Sequence, residues 1–376
     1  MISSICLRAP RYLLGIALCG LAAAPCGCKN SDTGADGDAG AKSVVAMLQS
    51  EKGQAADLTM SDVADLVGSA VSQAGGIDFI KDGQTVVLKP NLFSIYQDAG
   101  ENIAGMTASG INTDWRVAKA VADLVRVKNP TGKILVMEGS TYSTDTLAYP
   151  ILGYAPDNFG SSVDAFIALE GTSCTDTSTS GIEQRTGRSG KQYWVNSRYL
   201  SADVVISIPT MATDAWAGIG GAVENMGIGA TPAGQYGSGT NPNDCTRTKI
   251  DRSSPETTGA FIRDYYGIRP AEFVVMDGLQ GLEHGPVPVL DDSGTYDYAS
   301  WTKNMRLILA GRNAVAVDTI AALVMKCDPK KVPFLTKLES DGLGTTDTAK
   351  ITVVGKQVSD VAKPFAGKQT DICPGK

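Results

Sequence analysis

Four apolar runs in this 376-residue chain each give way at once to polar or glycine residues, and those junctions hold most of its chemically useful side chains. Lys89-Pro90-Asn91 follows the first run, Glu138-Gly139-Ser140 the second, Thr210-Met211-Ala212-Thr213 the third and Asp277-Gly278 the fourth. A strand-end lysine such as Lys89 could hold a phosphate or carboxylate, or serve as a base if desolvated. The plainer reading is an exposed or ion-paired lysine. Asp277, Glu283 and His284 fall close together, with Gly278, Gly281 and Gly285 among them, and glycine lets a backbone turn tightly toward a ligand. A carboxylate beside a histidine is an acid–base pair, or two ligands of a divalent-metal site that Asp318 or Glu138 would complete. The plainer reading makes Asp277 a turn cap and Glu283-His284 a solvated corner. Asp318 stands among Ala, Val, Ile and Leu, where a carboxylate must be paired or functional; a structural hydrogen bond would suffice. The working assignment takes Lys89, Asp277 and Glu283 as catalytic, and Asn91, Glu138, Asn225 and Asp318 as ligand-binding.

Composition removes several function classes. One histidine in the whole chain excludes a multi-histidine zinc site. A net charge of −7 argues against a nucleic-acid binder, which needs a basic face. The glycine-rich stretch 218–234 has neither GxGxxG nor GxxxxGK[ST], so a nucleotide loop is not indicated. An anion bound by its backbone N–H groups stays open.

The elements that must position these residues are legible. Short buried strands are expected at 85–88, 133–137, 202–208, 273–276, 305–310 and 349–354. Helical spacing marks 60–73, 115–127 and 314–325, with Thr113 or Asp114 capping the second and Asn313 the third. Strand, helix, strand in this order implies right-handed βαβ units. The expected fold is α/β, a mostly parallel sheet flanked by helices, with irregular polar insertions at 171–200 and 236–255. In such sheets ligands bind at the carboxyl ends of the strands, so the polar junctions should converge on one rim.

Residues 1–28 read as an export signal. Arg8 and Arg11 precede the apolar run 12–24, which is short for a membrane span of roughly 20 residues. Gly27-Cys28 fits a lipoprotein cleavage site, with Pro25 and Cys26 poor matches upstream. Lipidation at Cys28 is the expectation, ordinary secretion the alternative, and a cytosolic protein with a greasy start the plain reading. Residues 29–43 form a small, polar tether and 44–376 a single α/β domain. The expected location is the cell envelope, lipid-anchored to the surface of a bacterial membrane. The mature chain then keeps Cys174, Cys245, Cys327 and Cys373 for two disulfides, among three possible connectivities. Loop placement favours Cys174 with Cys245 and Cys327 with Cys373. No CxxC spacing exists, so no iron–sulfur cluster is expected.

VVLKPNL (86–92), VVMDGLQGLEHGP (274–286), LILAGRNAVAVDTIAALVM (307–325) and GLGTTD (342–347) together resemble the domain-of-unknown-function family 362, over roughly residues 84–356. The resemblance implies an α/β fold and no particular reaction. It also marks two departures. The family's usual lysine and histidine after the third strand are absent from Pro209–Thr213, and its usual Lys-Asn pair is Glu224-Asn225 here. The expected function is that of an envelope lipoprotein binding a small ligand, anionic or metal-associated, at the strand ends. The alternatives are an enzyme using carboxylate, lysine or divalent-metal chemistry, and a structural envelope protein. No nucleic acid is expected as a partner.

Overall fold

Strands buried on both faces cannot alternate apolar with polar residues, and the centre of this sheet is written accordingly. Thr85-Val-Val-Leu and Val204-Val-Ile-Ser-Ile are unbroken runs of this kind. The computed structural model describes residues 42–93, 110–139, 145–169, 173–237, 245–286 and 301–375. Cys28, the signal-like segment and all but the end of the tether lie outside the described residues.

The main sheet is built from β1 (Ser43–Gln49), β2 (Thr85–Pro90), β3 (Lys133–Glu138), β4 (Ala165–Ala168), β7 (Val204–Ile208), β8 (Thr210–Asp214), β9 (Gly218–Gly220), β10 (Phe273–Leu282), β11 (Thr302–Gly311) and β12 (Ile351–Gly355). Its order is β12-β1-β11-β10-β7-β2-β3-β4, with β8 beside β10 and β9 beside β8. The run from β10 to β4 is parallel, whereas β11 is antiparallel to both β1 and β10. The sheet is therefore mostly parallel, as expected. β5 (Ile182–Thr186) and β6 (Gln192–Asn196) form a separate hairpin inside the polar insertion.

Two strands differ from the sequence reading. The expected tether to residue 43 gives way to strand at Ser43, and β1 has both edges paired. The polar junction after the third strand is itself a strand, β8. Pro209, which has no N–H to give a ladder, interrupts the path from β7 to β8, and its carbonyl accepts the Asp277 N–H at 2.8 Å.

The helices are α1 (Met60–Gln73), α2 (Trp115–Lys128), α3 (Asp145–Ile151), α4 (Pro156–Phe159), α5 (Ser197–Ser201), α6 (Ala222–Gly227), α7 (Ala233–Tyr236), α8 (Pro255–Tyr266), α9 (Ala314–Val324), α10 (Pro333–Ser340) and α11 (Val358–Val361). Their starts are locally encoded. Thr59 and Asp62 form a capping box on α1, Asp114 caps α2, and Asn313 accepts the Ala316 N–H at α9. Among the described residues no helix is long and apolar enough to cross a membrane.

Two-residue alternation sorts the strands into two faces. Val86, Leu88, Ile206, Phe273 and Val275 pack with α1 and α2. Val87, Val205, Val274 and Met276 pack with α6, α8, α9 and α10. Each fully buried Val, Leu or Ile contributes roughly 1.5–3 kcal/mol, so both layers hold the sheet strongly. Cys174 pairs with Cys245 and Cys327 with Cys373, at Cα separations of 4.8 and 4.3 Å.

Candidate functional site

The carboxyl ends of β2 and β3 meet at a buried ion pair. Lys89 continues the Val87 face of β2 and is fully buried, and its ammonium contacts the Glu138 carboxylate at the end of β3. The same Nζ donates to Asn225 Oδ1 at 2.9 Å and to the Pro90 carbonyl at 2.9 Å. An ammonium has three protons, and all three are engaged. Lys89 is thus anchored by three partners beneath the site. Burial raises the Glu138 carboxyl above its usual range, while Lys89 pulls it back.

Asn225 reaches Lys89 because α6 is held in place from outside. Its N-cap is Gly221, which offers no side chain, and the carboxylate of Asp318 on α9 takes over. Asp318 accepts the Ala222 N–H at 2.7 Å and the Val223 N–H at 2.9 Å. A Cβ on Gly221 would stand 2.5 Å from the Asp318 oxygen, so glycine is required there. Burial pushes the Asp318 carboxyl up to about 7 against the pull of those two N–H groups. Asn225 then binds the Lys89 carbonyl at 3.0 Å and Ser207 Oγ at 3.1 Å through Nδ2.

Above this floor lies a cleft of about 260 Å³. Asn91, Glu138, Thr210, Asp214, Glu224 and Arg252 supply its polar wall, and Phe93 and Trp216 its aromatic wall. Asn91 is fixed by donating to the Ile111 carbonyl at 2.8 Å. The Arg252 guanidinium lies 5.2 Å from the Trp216 ring centroid and donates to the Thr246 carbonyl at 2.9 Å. Asp214 Oδ1 accepts the Trp216 and Ala217 N–H groups at 2.8 and 2.6 Å. Burial raises its carboxyl above the usual range. Glu224 is pushed up to about 8, first by burial and then by the charge of Asp214, with Lys89 and Arg252 opposing.

The structure brings together four of the seven expected site residues: Lys89, Asn91, Glu138 and Asn225. It does not bring Asp277, Glu283 or Asp318 to the cleft wall. Asp277 continues the Phe273 and Val275 set, on the face opposite Lys89. Its oxygens accept the Asp114 N–H at 2.7 Å and the Leu279 N–H at 3.0 Å, so it ties the start of α2 to β10. Burial, then the neighbouring Asp114, pushes its carboxyl up to about 7. Glu283 pairs with Lys303 at 2.7 Å and accepts the Ala366 N–H at 2.8 Å, pinning the C-terminal segment. His284 packs edge-on against Trp301 at 4.0 Å. The metal site considered from sequence finds no such geometry: among the described residues no group of three or more His, Cys, Asp or Glu could hold an ion.

Sequence reasoning missed Glu224, Asp214 and Arg252. For Glu224 a signal existed, since an acid stands where the resembling family has a lysine. It also missed Arg247, which is fully buried beneath the cleft and donates to Thr231 Oγ1 at 2.9 Å, the Cys245 carbonyl at 2.7 Å and the Gly139 carbonyl.

A family profile described as Domain of unknown function (DUF362) matches residues 86–323, well over half of the chain. The chain belongs to this family. The DUF362 match spans β2 to α9 and so contains the whole cleft floor. No curated protein matches the chain. Among solved structures it is similar to the lactate racemase apoprotein from Thermoanaerobacterium thermosaccharolyticum, with 10% identity and a TM-score of 0.37. That likeness covers 73% of this chain and 54% of the other, so the chain spans about half the length of that protein.

Proposed function

We propose that this DUF362 protein is an exported cell-envelope lipoprotein, anchored through Cys28, whose α/β domain binds a small ligand in the strand-end cleft. One observation carries the ligand reading. Of the carboxylates at the cleft, Glu138 is paired with Lys89 below it, and Asp214 takes two backbone N–H groups on Oδ1. Glu224 faces the cleft, and no described group donates to its carboxyl. Glu224 is part-buried, so its oxygens open onto the cleft without being cut off from solvent. A ligand that brings donors can take the place of water at these acceptor oxygens.

The test uses Gly220 on β9. A Cβ there meets nothing nearer than 3.7 Å, so Gly220→Leu should fold and fill the cleft. Ligand-observed NMR of a small-molecule library should give hits on the wild type that disappear with Gly220→Leu. Hits unaffected by the substitution, or none at all, would remove the cleft as the site. Mass spectrometry of the mature N-terminus checks the anchor, and an unmodified Cys28 would refute it. The enzyme reading has one support of its own: a carboxyl near 8 is suited to proton transfer at neutral pH.

A further inference from the structure

The acceptors left open in the cleft specify more than an unnamed ligand. Both Glu224 carboxyl oxygens and Asp214 Oδ2 lack a donor among the described residues, while Asp214 Oδ1 is engaged by the Trp216 and Ala217 N–H groups. Oxygens of two acidic side chains therefore open onto one 260 Å³ space. Once Glu224 is ionised these oxygens only accept, so a ligand that brings hydrogen-bond donors fits them, and a positive charge on those donors would also relieve the repulsion between the two acids. An anion would meet that repulsion. A neutral polyol would satisfy the bonds and leave it in place.

Resting on the cleft reading above, we infer that the ligand is a small organic cation bearing a primary ammonium, seated between Asp214 and Glu224. The ammonium donates to Asp214 Oδ2 and to the Glu224 carboxylate, and the aliphatic part of the ligand lies toward Phe93 and Trp216. Every charged group facing Glu224 bears on this. Asp214 from β8 and Asp318 from α9 make the neutral acid easier to keep, while Lys89 from β2 and Arg252 from the loop before α8 favour the anion. In the free protein at pH 7 the acid prevails, so binding as an ion pair releases the Glu224 proton to the buffer. Affinity then rises with pH up to about 8 and levels off above it.

Calorimetric titration of the mature protein with ethanolamine and putrescine tests this, with glycolate and erythritol as the anionic and neutral probes. The amines should bind, and bind more tightly at pH 8.5 than at pH 6. Their apparent enthalpies should differ between phosphate and Tris, reporting the released proton. Glu224→Gln should weaken binding about 10- to 100-fold, the size of one lost charged hydrogen bond, and abolish the buffer difference. Gly220→Leu should abolish binding. If glycolate or erythritol binds in a manner lost with Gly220→Leu while the amines do not, the cation inference is overturned and the cleft reading stands. Amine binding that survives Gly220→Leu, or no binding of any probe, overturns the inference as well.

Discussion

At the residue scale, the buried Lys89–Glu138 pair sets what the floor of the cleft can tolerate. Removing one partner of such a pair strands the other charge, which costs about 3–5 kcal/mol. Lys89→Met should therefore lower the urea-unfolding free energy by that order. Lys89→Met with Glu138→Gln should recover most of the loss, because no charge is then left alone. A single substitution without measurable effect would contradict the burial of the pair. Lys89 and Glu138 were legible as site residues because each directly ends an apolar run. Asp277 ends one too, yet lies on the other face. Position along a strand says which end a residue occupies, but its face relative to a neighbouring strand depends on register, and register is a long-range property.

At the element scale, α6 is a six-residue helix that depends on a carboxylate from α9 for its first turn. That explains why its role escaped sequence reading. It is too short to show a helical period, it sits inside a glycine-rich stretch, and its cap is some 95 residues away. Asp318 was flagged as paired or functional, and its pairing proves structural. Gly221→Ala should force the new methyl against Asp318 and cost about 1–3 kcal/mol, as overpacking does. Thermal unfolding checks the stability. The same variant should also weaken any cleft ligand, because Glu224 and Asn225 ride on the displaced helix. The longer α1, α2 and α9 were readable because period and cap residue agree in each.

At the scale of the whole molecule, the two disulfides close segments of 71 and 46 residues. Chain-entropy arguments value each at about 4 kcal/mol. Cys327→Ser with Cys373→Ser should lose stability of that order in urea unfolding, and a loss near zero would count against a stabilising bond. The parallel half of the sheet was legible because strand–helix–strand order implies it. The position of β1 was not, because nothing local says that residues 43–49 belong between β11 and β12. That placement bears on the order in which the molecule can be completed. β1, the first strand among the described residues, takes its partners from residues 302–311 and 351–355, near the other end of the sequence. A polypeptide delivered through a narrow pore with its N-terminus leading would hold β1 unpaired until almost all of it had emerged. Under such delivery, closure of the sheet would wait for the last strands, and in any setting contacts of such long range make that closure slow.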